Sequence, residues 1–309
     1  MMRTVNQLRA GIGFVTRRSP AIRGLGRCYR VLNQCFLRAG ADPIVSVTMK
    51  DGSAILVDLR THTDIDAYYR AEYDGLLIQT LKQIINIDHC VLDVGANIGH
   101  YTVSLGRFIR DRMGTGRIFS FEPYAGNHRR LLENIERNDL QPICQAFQVG
   151  LSDRTERSEL ILREDFLSGS ATGNAAIAIN ETFDRGFASA PIELTTLDTF
   201  LQKYGAKEKI DIIKMDIEGH EGFCLQGARE TIGENRPTLL MEVNKPYYSA
   251  RNSSIEEEVL PRIPPKYRIY RPRQHAWYRV ESLAVCDPID NVMFVPEEKL
   301  ERSGYQVFR

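Results

Sequence analysis

The sequence predicts an α/β protein with a mostly parallel sheet and helices on both of its faces. From Cys90 onward, short apolar runs alternate with segments of helical periodicity, which is the pattern of successive βαβ units. The chain has 309 residues, of which 43% are hydrophobic. It is therefore long enough to bury one large core without disulfides or a structural metal.

Composition excludes several functional classes. Forty basic residues balance forty acidic ones, so the whole surface lacks the basic field that attracts nucleic acid, and no nucleic-acid partner is expected. The six cysteines are scattered without a C-x-x-C pair, which is typical of a reducing compartment. No apolar stretch is long enough to span a bilayer, and the start lacks the apolar core of a signal peptide. The expected location is cytoplasmic.

Residues 1–43 are predicted to form a basic helical arm. The first forty residues carry eight arginines and no Lys, Asp or Glu, while the remaining chain has 32 basic and 40 acidic residues. One interpretation packs Val31, Cys35 and Phe36 on the core and leaves the arginines in water. The other is a transit peptide or a helix with weak affinity for an anionic lipid surface. Pairing of the arm between subunits, and hence an oligomer, also stays open.

Residues 44–85 are predicted to form an extension made of a hairpin and a helix. Two β-rich runs, Ile44–Met49 and Ala54–Leu59, flank a D-G pair, which is a strong hairpin signal. A helix-period apolar stripe follows over about Ile65–Ile85. Residues 86–309 then form the main domain.

The main domain contains most of the predicted elements. Strands are predicted at Val91–Val94, Arg117–Phe121, Ala146–Val149, Ile210–Ile217, Thr238–Val243, Tyr267–Tyr270 and Val292–Val295. Helices are predicted at Tyr101–Arg110, Asn127–Asn138, Leu197–Tyr204, Glu221–Ile232 and Ser254–Leu260. Between them, Glu159–Arg163 has a polar strand pattern, and the Gly/Ser-rich residues 168–174 predict a mobile loop of the kind that covers active sites.

The first strand of this domain runs into a glycine turn. Residues 91–99 read VLDVGANIG, and the helix that follows directs unpaired N–H groups at whatever lies above the strand. A dinucleotide site would favour G-x-G-x-x-G, whereas here the second glycine position is Asn97. A ligand with a small carboxylate and no pyrophosphate tolerates this side chain better. The turn therefore favours S-adenosylmethionine over NAD.

Acidic residues end the next two strands. Glu122 lies about twenty residues beyond the turn, where a carboxylate accepts hydrogen bonds from a ribose diol. Asp153, or the backbone beside it, could receive an adenine amino group. Both residues could instead cap a helix or a turn.

The strongest chemical signal is IDIIKMDIEGHE at residues 210–221. Strand alternation would place Lys214, Asp216 and Glu218 on one face near the carboxyl end of a central strand, where charges are costly unless they are used or paired. Three interpretations stay open: a general base, a Mg²⁺ site completed by Glu242, or a Lys214–Asp216 ion pair that locks the sheet. No metal is the expected outcome.

Taken together, the motifs VLDVGANIG, FEP, VGLSD, TLDTFL, KMDIEGHE and RPTLLMEVN resemble the FkbM-type family of S-adenosylmethionine-dependent methyltransferases over about residues 64–296. The resemblance implies a seven-stranded class I (Rossmann-like) doubly wound sheet of order 3-2-1-4-5-7-6 with the last strand antiparallel. It also implies O-methylation of a hydroxyl on a sugar, glycan or secondary metabolite. By position it assigns the methionine end of the cofactor to Asp93, Gly95, Asn97 and Gly99, the ribose to Glu122, the adenine side to Asp153, and the reaction centre to Asp216 and Glu218.

Methyl transfer to an alcohol requires a base, and Asp216, Glu218 and His220 are the candidates. His220, near a predicted helix start, is expected to stay neutral and to assist. Acceptor contacts are expected from Tyr68, Tyr69, Tyr73, the 168–174 loop and residues 245–248. The alternatives are a non-catalytic adenosyl-binding module and a nucleotide-dependent oxidoreductase.

Overall fold

The computed structural model describes residues 2–18, 25–163, 174–204, 208–274 and 276–308. The predicted mobile loop at 168–174 lies outside this range except for Asn174. Among the described residues, no helix combines the length and the apolar character needed to cross a bilayer.

The described part of the chain contains an eight-stranded main sheet and two smaller sheets. The strands are β1 (Ile44–Thr48), β2 (Ala54–Asp58), β3 (Cys90–Val94), β4 (Arg117–Phe121), β5 (Cys144–Phe147), β6 (Gly150–Leu151), β7 (Glu156–Leu162), β8 (Ala175–Ile177), β9 (Ala188–Thr195), β10 (Ile210–Met215), β11 (Thr238–Asn244), β12 (Tyr267–Arg273), β13 (Ala276–Val280) and β14 (Ile289–Pro296).

The α-helices are α1 (Met2–Thr16), α2 (Leu25–Arg38), α3 (His62–Arg70), α4 (Gly75–Ile84), α5 (His100–Arg110), α6 (Ala125–Arg137), α7 (Glu181–Asp184), α8 (Leu197–Tyr204), α9 (Glu221–Gln226), α10 (Arg229–Asn235), α11 (Lys245–Ala250) and α12 (Ile255–Val259). The predicted helix Glu221–Ile232 is thus divided into α9 and α10.

The main sheet has the order β5-β4-β3-β10-β11-β14-β12-β13. Strands β5, β4, β3, β10 and β11 are parallel neighbours, and β14 runs antiparallel to β11 and β12. This confirms the class I methyltransferase order with one additional edge strand, β13. The sequence pattern of β13 is weak because Trp277 is buried there while most of its neighbours are exposed.

Both faces of the sheet are buried, as expected for a doubly wound fold. Val91 and Ile118 belong to one hydrophobic cluster, whereas the alternate residues Leu92 and Phe119 belong to the other. The pleat of the strands therefore divides the core into two layers around the sheet.

An insertion between β5 and α8 forms a separate sheet of order β6-β9-β7-β8 among the described residues. Only a strand near Glu159–Arg163 is predicted in this region from the sequence. Polar, exposed residues alternate with apolar ones in β7 and β9, and the short strand β6 has only two residues. These patterns are too brief to specify a sheet on their own.

The hairpin β1–β2 forms as predicted, but the helix after it is broken in two. Ala71 and Asp74 have left-handed φ angles of 52° and 40°, so α3 ends and α4 begins in a new direction. The hairpin is fixed to α6 because Asn138 bonds both backbone groups of Ala54 and Asn134 accepts from the Leu56 N–H.

The arm forms helices α1 and α2, which contact each other and α3. Phe36 is buried as expected, but Val31 and Cys35 are exposed, which corrects the prediction that they pack on the core. Tyr29 takes their place by stacking on Tyr69 at 4.9 Å.

The turn after β3 requires glycine at position 95. Gly95 has a φ of +72°, and a Cβ there would lie 1.9 Å from the carbonyl oxygen of Asp216. We expect Gly95→Ala to lower the free energy of unfolding by about 2 to 4 kcal/mol, because both the backbone conformation and the contact oppose a side chain.

Gly233→Ala is the matched control, since Gly233 lies in α10 and a Cβ added there would meet no atom within 4 Å. Alanine there should be neutral or stabilising by about 0.5 to 1 kcal/mol. Chemical denaturation measures both variants, and equal stabilities for the two would refute the steric argument.

Candidate functional site

A cavity of about 260 Å³ lies at the carboxyl ends of the central strands. Its walls include Gly95 after β3, Glu122 after β4, Asp216 after β10 and Glu242 in β11. This is the edge of an open α/β sheet at which ligands bind.

The glycine turn forms the floor of this cavity. The N–H groups of Gly95 and Ala96 both donate to the Phe121 carbonyl of the neighbouring strand. Asn97 is exposed, lines the cavity and has a φ of +49°. Gly99 does not line the cavity; it precedes α5 with a φ of +94°, where a Cβ would lie 2.6 Å from Leu131.

Glu122 is joined directly to this turn. Its two carboxylate oxygens accept from the backbone N–H groups of Asn97 at 2.9 Å and Tyr124 at 3.0 Å. Burial raises the pKa of Glu122 to about 7, although both hydrogen bonds and the charge of Lys214 act in the opposite direction. The carboxylate is thus oriented by the backbone and changes protonation state near neutral pH.

Asp93 does not line the cavity, and its contact with the methionine end of the cofactor stays a prediction. The side chain is 1% exposed, and its Oδ2 accepts from the backbone N–H and hydroxyl of Thr102 in α5. Its Oδ1 lies 3.2 Å from the ammonium of Lys214. Asp93 therefore holds α5 and Lys214 in position.

Lys214 connects the turn with the acidic end of β10. Its ammonium donates to the Gly95 carbonyl at 2.9 Å and lies 3.7 Å from Asp216 Oδ2. Burial alone would lower the pKa of Lys214, but the adjacent carboxylates of Asp93 and Asp216 raise it above its ordinary value. The ion pair considered from the sequence is present, and it forms part of the cavity wall.

Three carboxylates converge beside Lys214. Oxygen atoms of Asp216, Glu218 and Glu242 all lie within 4.8 Å of one another. The predicted strand alternation does not extend this far, because β10 ends at Met215 and Glu218 has a φ of +54°. A left-handed turn, and not the pleat of a strand, brings Glu218 into the cavity.

Burial and the proximity of these carboxylates raise the pKa of two of the three groups. Burial raises the pKa of Glu218 to about 8, and the charges of Asp216 and Glu221 act in the same direction. Burial together with the charges of Asp216 and Glu218 raises the pKa of Glu242 further, so Glu242 is protonated at neutral pH. The Asn244 amide donates to Glu218 Oε2 at 2.8 Å and orients it.

The loop that carries Glu218 is held by Glu221, which is fully buried. Glu221 Oε1 accepts from the backbone N–H groups of Ile217 and Gly219, and Oε2 accepts from the Tyr248 hydroxyl at 2.6 Å. Tyr248, predicted to contact an acceptor, is thus a buried support for the loop.

His220 lines the cavity, and its Nε2 lies 2.9 Å from the Ser152 hydroxyl. Burial lowers the pKa of His220 to about 4, with a further contribution from the charge of Arg251. The imidazole is therefore neutral at neutral pH. Burial is the main cause, in place of the helix dipole expected from the sequence.

Asp153 does not line the cavity, and the contact of this residue or the backbone beside it with an adenine amino group stays a prediction. Its carboxylate accepts from Ser152 and lies near Arg154, whereas Gly150, Leu151 and Asn127 line the cavity. Residues of β6 and α6 therefore form the cavity wall at this position.

The extension supplies a wall that the motifs do not reveal. Tyr73, from the break between α3 and α4, stacks on His100 with ring centroids 4.1 Å apart. His100 Nε2 lies 3.4 Å from Asp64 of α3, and all three residues line the cavity. Tyr68 and Tyr69 are instead buried beneath the arm, so only Tyr73 of the three predicted tyrosines lines the cavity.

Comparison with known proteins identifies the family. The sequence model of the methyltransferase FkbM domain matches residues 93–263, more than half of the chain. Methyltransferase sdnD of Sordaria araneosa is 26% identical over 204 residues, covering 54% of this chain and 75% of that protein. The 2-O-methyltransferase NoeI of Sinorhizobium fredii is 28% identical over 166 residues, covering 50% and 65%.

Other matches are partial or distant. AMB antimetabolite synthetase AmbE of Pseudomonas aeruginosa is 28% identical over 186 residues, and the match spans 51% of this chain but only 8% of that protein. The chain thus spans less than two thirds of both AmbE and NoeI. The crystal structure of methyltransferase FkbM from Methylobacillus flagellatus is 20% identical, covers 75% of this chain and 53% of that one, and has a TM-score of 0.44.

The family match begins at Asp93, includes the glycine turn, and extends past the carboxylate cluster. It leaves out the arm, the hairpin and Tyr73. The chain therefore belongs to the methyltransferase FkbM domain family, for which S-adenosylmethionine is the expected cofactor.

Proposed function

We propose that this chain transfers a methyl group from S-adenosylmethionine to a hydroxyl oxygen of a small molecule or glycan. The main support is that two sets of residues with different chemistry line one cavity. Glu122 and the glycine turn lie on one side, and Asp216 and Glu218 lie on the other. The first pair of elements suits a nucleoside, and the second suits removal of a proton.

The residues present fit the cofactor. Gly95, which has no room for a side chain beside Asp216, lines the cavity together with Ala96 and Asn97, so a ligand can approach the turn closely. Because two backbone N–H groups orient the Glu122 carboxylate, its remaining lone pairs can accept from a ribose diol. When bound, S-adenosylmethionine would supply an electrophilic methyl group on a sulfonium.

We assign the base to Glu218. Its raised pKa makes the carboxylate a stronger proton acceptor than an exposed glutamate, and Asn244 holds it in place. Asp216, beside the Lys214 ammonium, binds and orients the acceptor hydroxyl. His220 assists as a neutral imidazole. Once the hydroxyl proton is removed, the acceptor oxygen could attack the methyl carbon from the side opposite the sulfur, and the bond between this carbon and the sulfur would break.

The charges in the cavity favour a neutral acceptor that donates hydrogen bonds. Four acidic side chains, those of Asp64, Glu122, Asp216 and Glu218, line the wall together with one ammonium, that of Lys214. Deprotonation of Glu122 near pH 7 and of Glu218 near pH 8 adds negative charge, which would repel a phosphate or carboxylate on the acceptor. Hydroxyl groups of a sugar are suitable donors to these oxygens. The relative NoeI is named a 2-O-methyltransferase, which agrees with this class of reaction.

Turnover distinguishes this proposal from a non-catalytic adenosyl-binding module. A cell extract incubated with the chain and S-adenosylmethionine carrying an isotopically labelled methyl group should yield a labelled product, detected by mass spectrometry. The Gly95→Ala variant provides the background. A product labelled on nitrogen or carbon, or no labelled product from any extract, would contradict O-methyl transfer.

Affinity for S-adenosylmethionine should increase as the pH rises from about 6 to 8. The pKa of Glu122 is raised to about 7, so the carboxylate that accepts from the ribose is present above this pH and is lost below it. Glu122→Gln should weaken binding by about tenfold or more at pH 8 and flatten the pH dependence. Glu136→Gln, an exposed site on α6, serves as control. Calorimetry measures the affinity of both variants across this pH range. If the pH profile of Glu122→Gln equals that of the wild type, Glu122 does not bind the ribose.

Glu218→Gln should lower kcat by about a hundredfold or more while leaving cofactor affinity nearly unchanged, as for loss of a general base. In the wild type, the rate should rise with pH through about 8, because Glu218 must be deprotonated to accept a proton. Glu193→Gln, exposed on β9, should retain wild-type kinetics. Full activity of Glu218→Gln would remove Glu218 from the mechanism.

Turnover should be unchanged by a chelator. Asp216, Glu218 and Glu242 are spaced closely enough to hold a cation. However, Lys214 already lies beside Asp216, and Glu242 carries a proton at neutral pH. Assays with excess EDTA, with and without added Mg²⁺, measure this. Loss of activity in EDTA that added Mg²⁺ restores would contradict the proposed base and indicate a metal-assisted mechanism.

A further inference from the structure

The N-terminal arm has two chemically different sides. On its inner side, Arg9 is 1% exposed, and the Arg17 guanidinium donates to the Tyr68 carbonyl while lying 4.7 Å from the centre of the Tyr68 ring. Tyr29 and Phe36 of α2 are buried as well. These contacts fix the arm to α3, so its outer side is presented by a folded and anchored unit.

The outer side combines exposed apolar residues with arginines. Leu8 and Phe14 of α1 are 62% and 54% exposed, and Val31 of α2 is 64% exposed. Arg18 is exposed, and its guanidinium lies 3.5 Å from the centre of the Phe14 ring. Arg3 of α1 is exposed as well. Isolated exposed apolar residues are common, but here they recur on both helices of an arginine-rich segment.

The two helices of the arm carry charge of one sign. Its first forty residues contain eight arginines and no acidic residue, whereas the remaining chain carries an excess of eight acidic residues. The excess of positive charge therefore lies in the arm. The family match does not include this part of the chain. None of the described residues of the arm lines the cavity.

We propose that the outer side of α1 and α2 docks on a lipid bilayer that contains anionic headgroups. Arginines such as Arg3 and Arg18 would contact lipid phosphates, while Leu8, Phe14 and Val31 would enter the boundary between headgroups and acyl chains. A nucleic acid would satisfy the arginines but offers no apolar layer for Leu8 and Val31. The proposal does not depend on methyl transfer.

The test measures binding of the full chain to vesicles by sedimentation. Vesicles of phosphatidylcholine alone are compared with vesicles that also contain about one third phosphatidylglycerol. We expect binding to the anionic vesicles at least about tenfold more strongly, and we expect added salt to weaken it. Binding to both kinds of vesicle alike, or to neither, would overturn the proposal.

Two pairs of variants separate the arm from the rest of the surface. The double variant R3E/R18E should lose at least about tenfold in affinity, while R129E/R157E, at exposed arginines outside the arm, should lose much less. Likewise L8S/F14S should bind more weakly than L132S/I289S, which changes exposed apolar residues elsewhere. Circular dichroism and cofactor affinity confirm that each variant is folded.

Other occupants of the surface give distinct results. A second copy of the chain is the occupant if the wild type does not bind vesicles but forms a dimer in size-exclusion chromatography, and if R3E/R18E abolishes this dimer. If duplex DNA binds the arm and anionic vesicles do not, the occupant is nucleic acid. Either result, or equal losses in the arm and control variants, would overturn lipid docking.

Discussion

The ammonium of Lys214 is the contact on which the geometry of the site depends. Lys214 in β10 lies in register with Asp93 in β3, so the two side chains meet across neighbouring parallel strands. The same ammonium donates to the Gly95 carbonyl and lies beside Asp216. One buried cation therefore sets both the shape of the glycine turn and the position of the acidic group opposite it. Removing it would leave buried carboxylates unpaired, which typically costs about 3 to 5 kcal/mol.

The carboxylates in and beside the cavity have different surroundings, and the roles proposed for them follow from this difference. Glu221 is fully buried and is bound by two backbone N–H groups and Tyr248, so it holds a loop. Glu218, on that loop, has a pKa near 8 and is suited to accept a proton. Glu122, oriented by the backbone of the turn, is suited to accept hydrogen bonds from a diol. Such separation of carboxylate environments is how one site performs both binding and acid–base chemistry.

The strands of the main sheet follow from the sequence because local apolar runs specify them, whereas their order is what the resemblance to the FkbM-type family implies, and the structure confirms it. The proximity of Glu122 to the turn is likewise predictable, since both lie at the ends of neighbouring strands. The motifs of Asp93 and Asp153 do not tell whether each side chain faces the cavity, and in the structure neither residue lines it. The break at Ala71 and Asp74, which brings Tyr73 onto His100, depends on tertiary contacts that override an uninterrupted helical pattern.

A sulfonium nucleoside is the ligand that the cavity suits best. Calorimetric titration of the full chain with S-adenosylmethionine, its demethylated product and NAD tests this assignment most directly. Saturable heat from the first two compounds and none from NAD is the predicted result. Preferential binding of NAD, or no heat from either sulfur compound at millimolar concentration, would contradict the assignment.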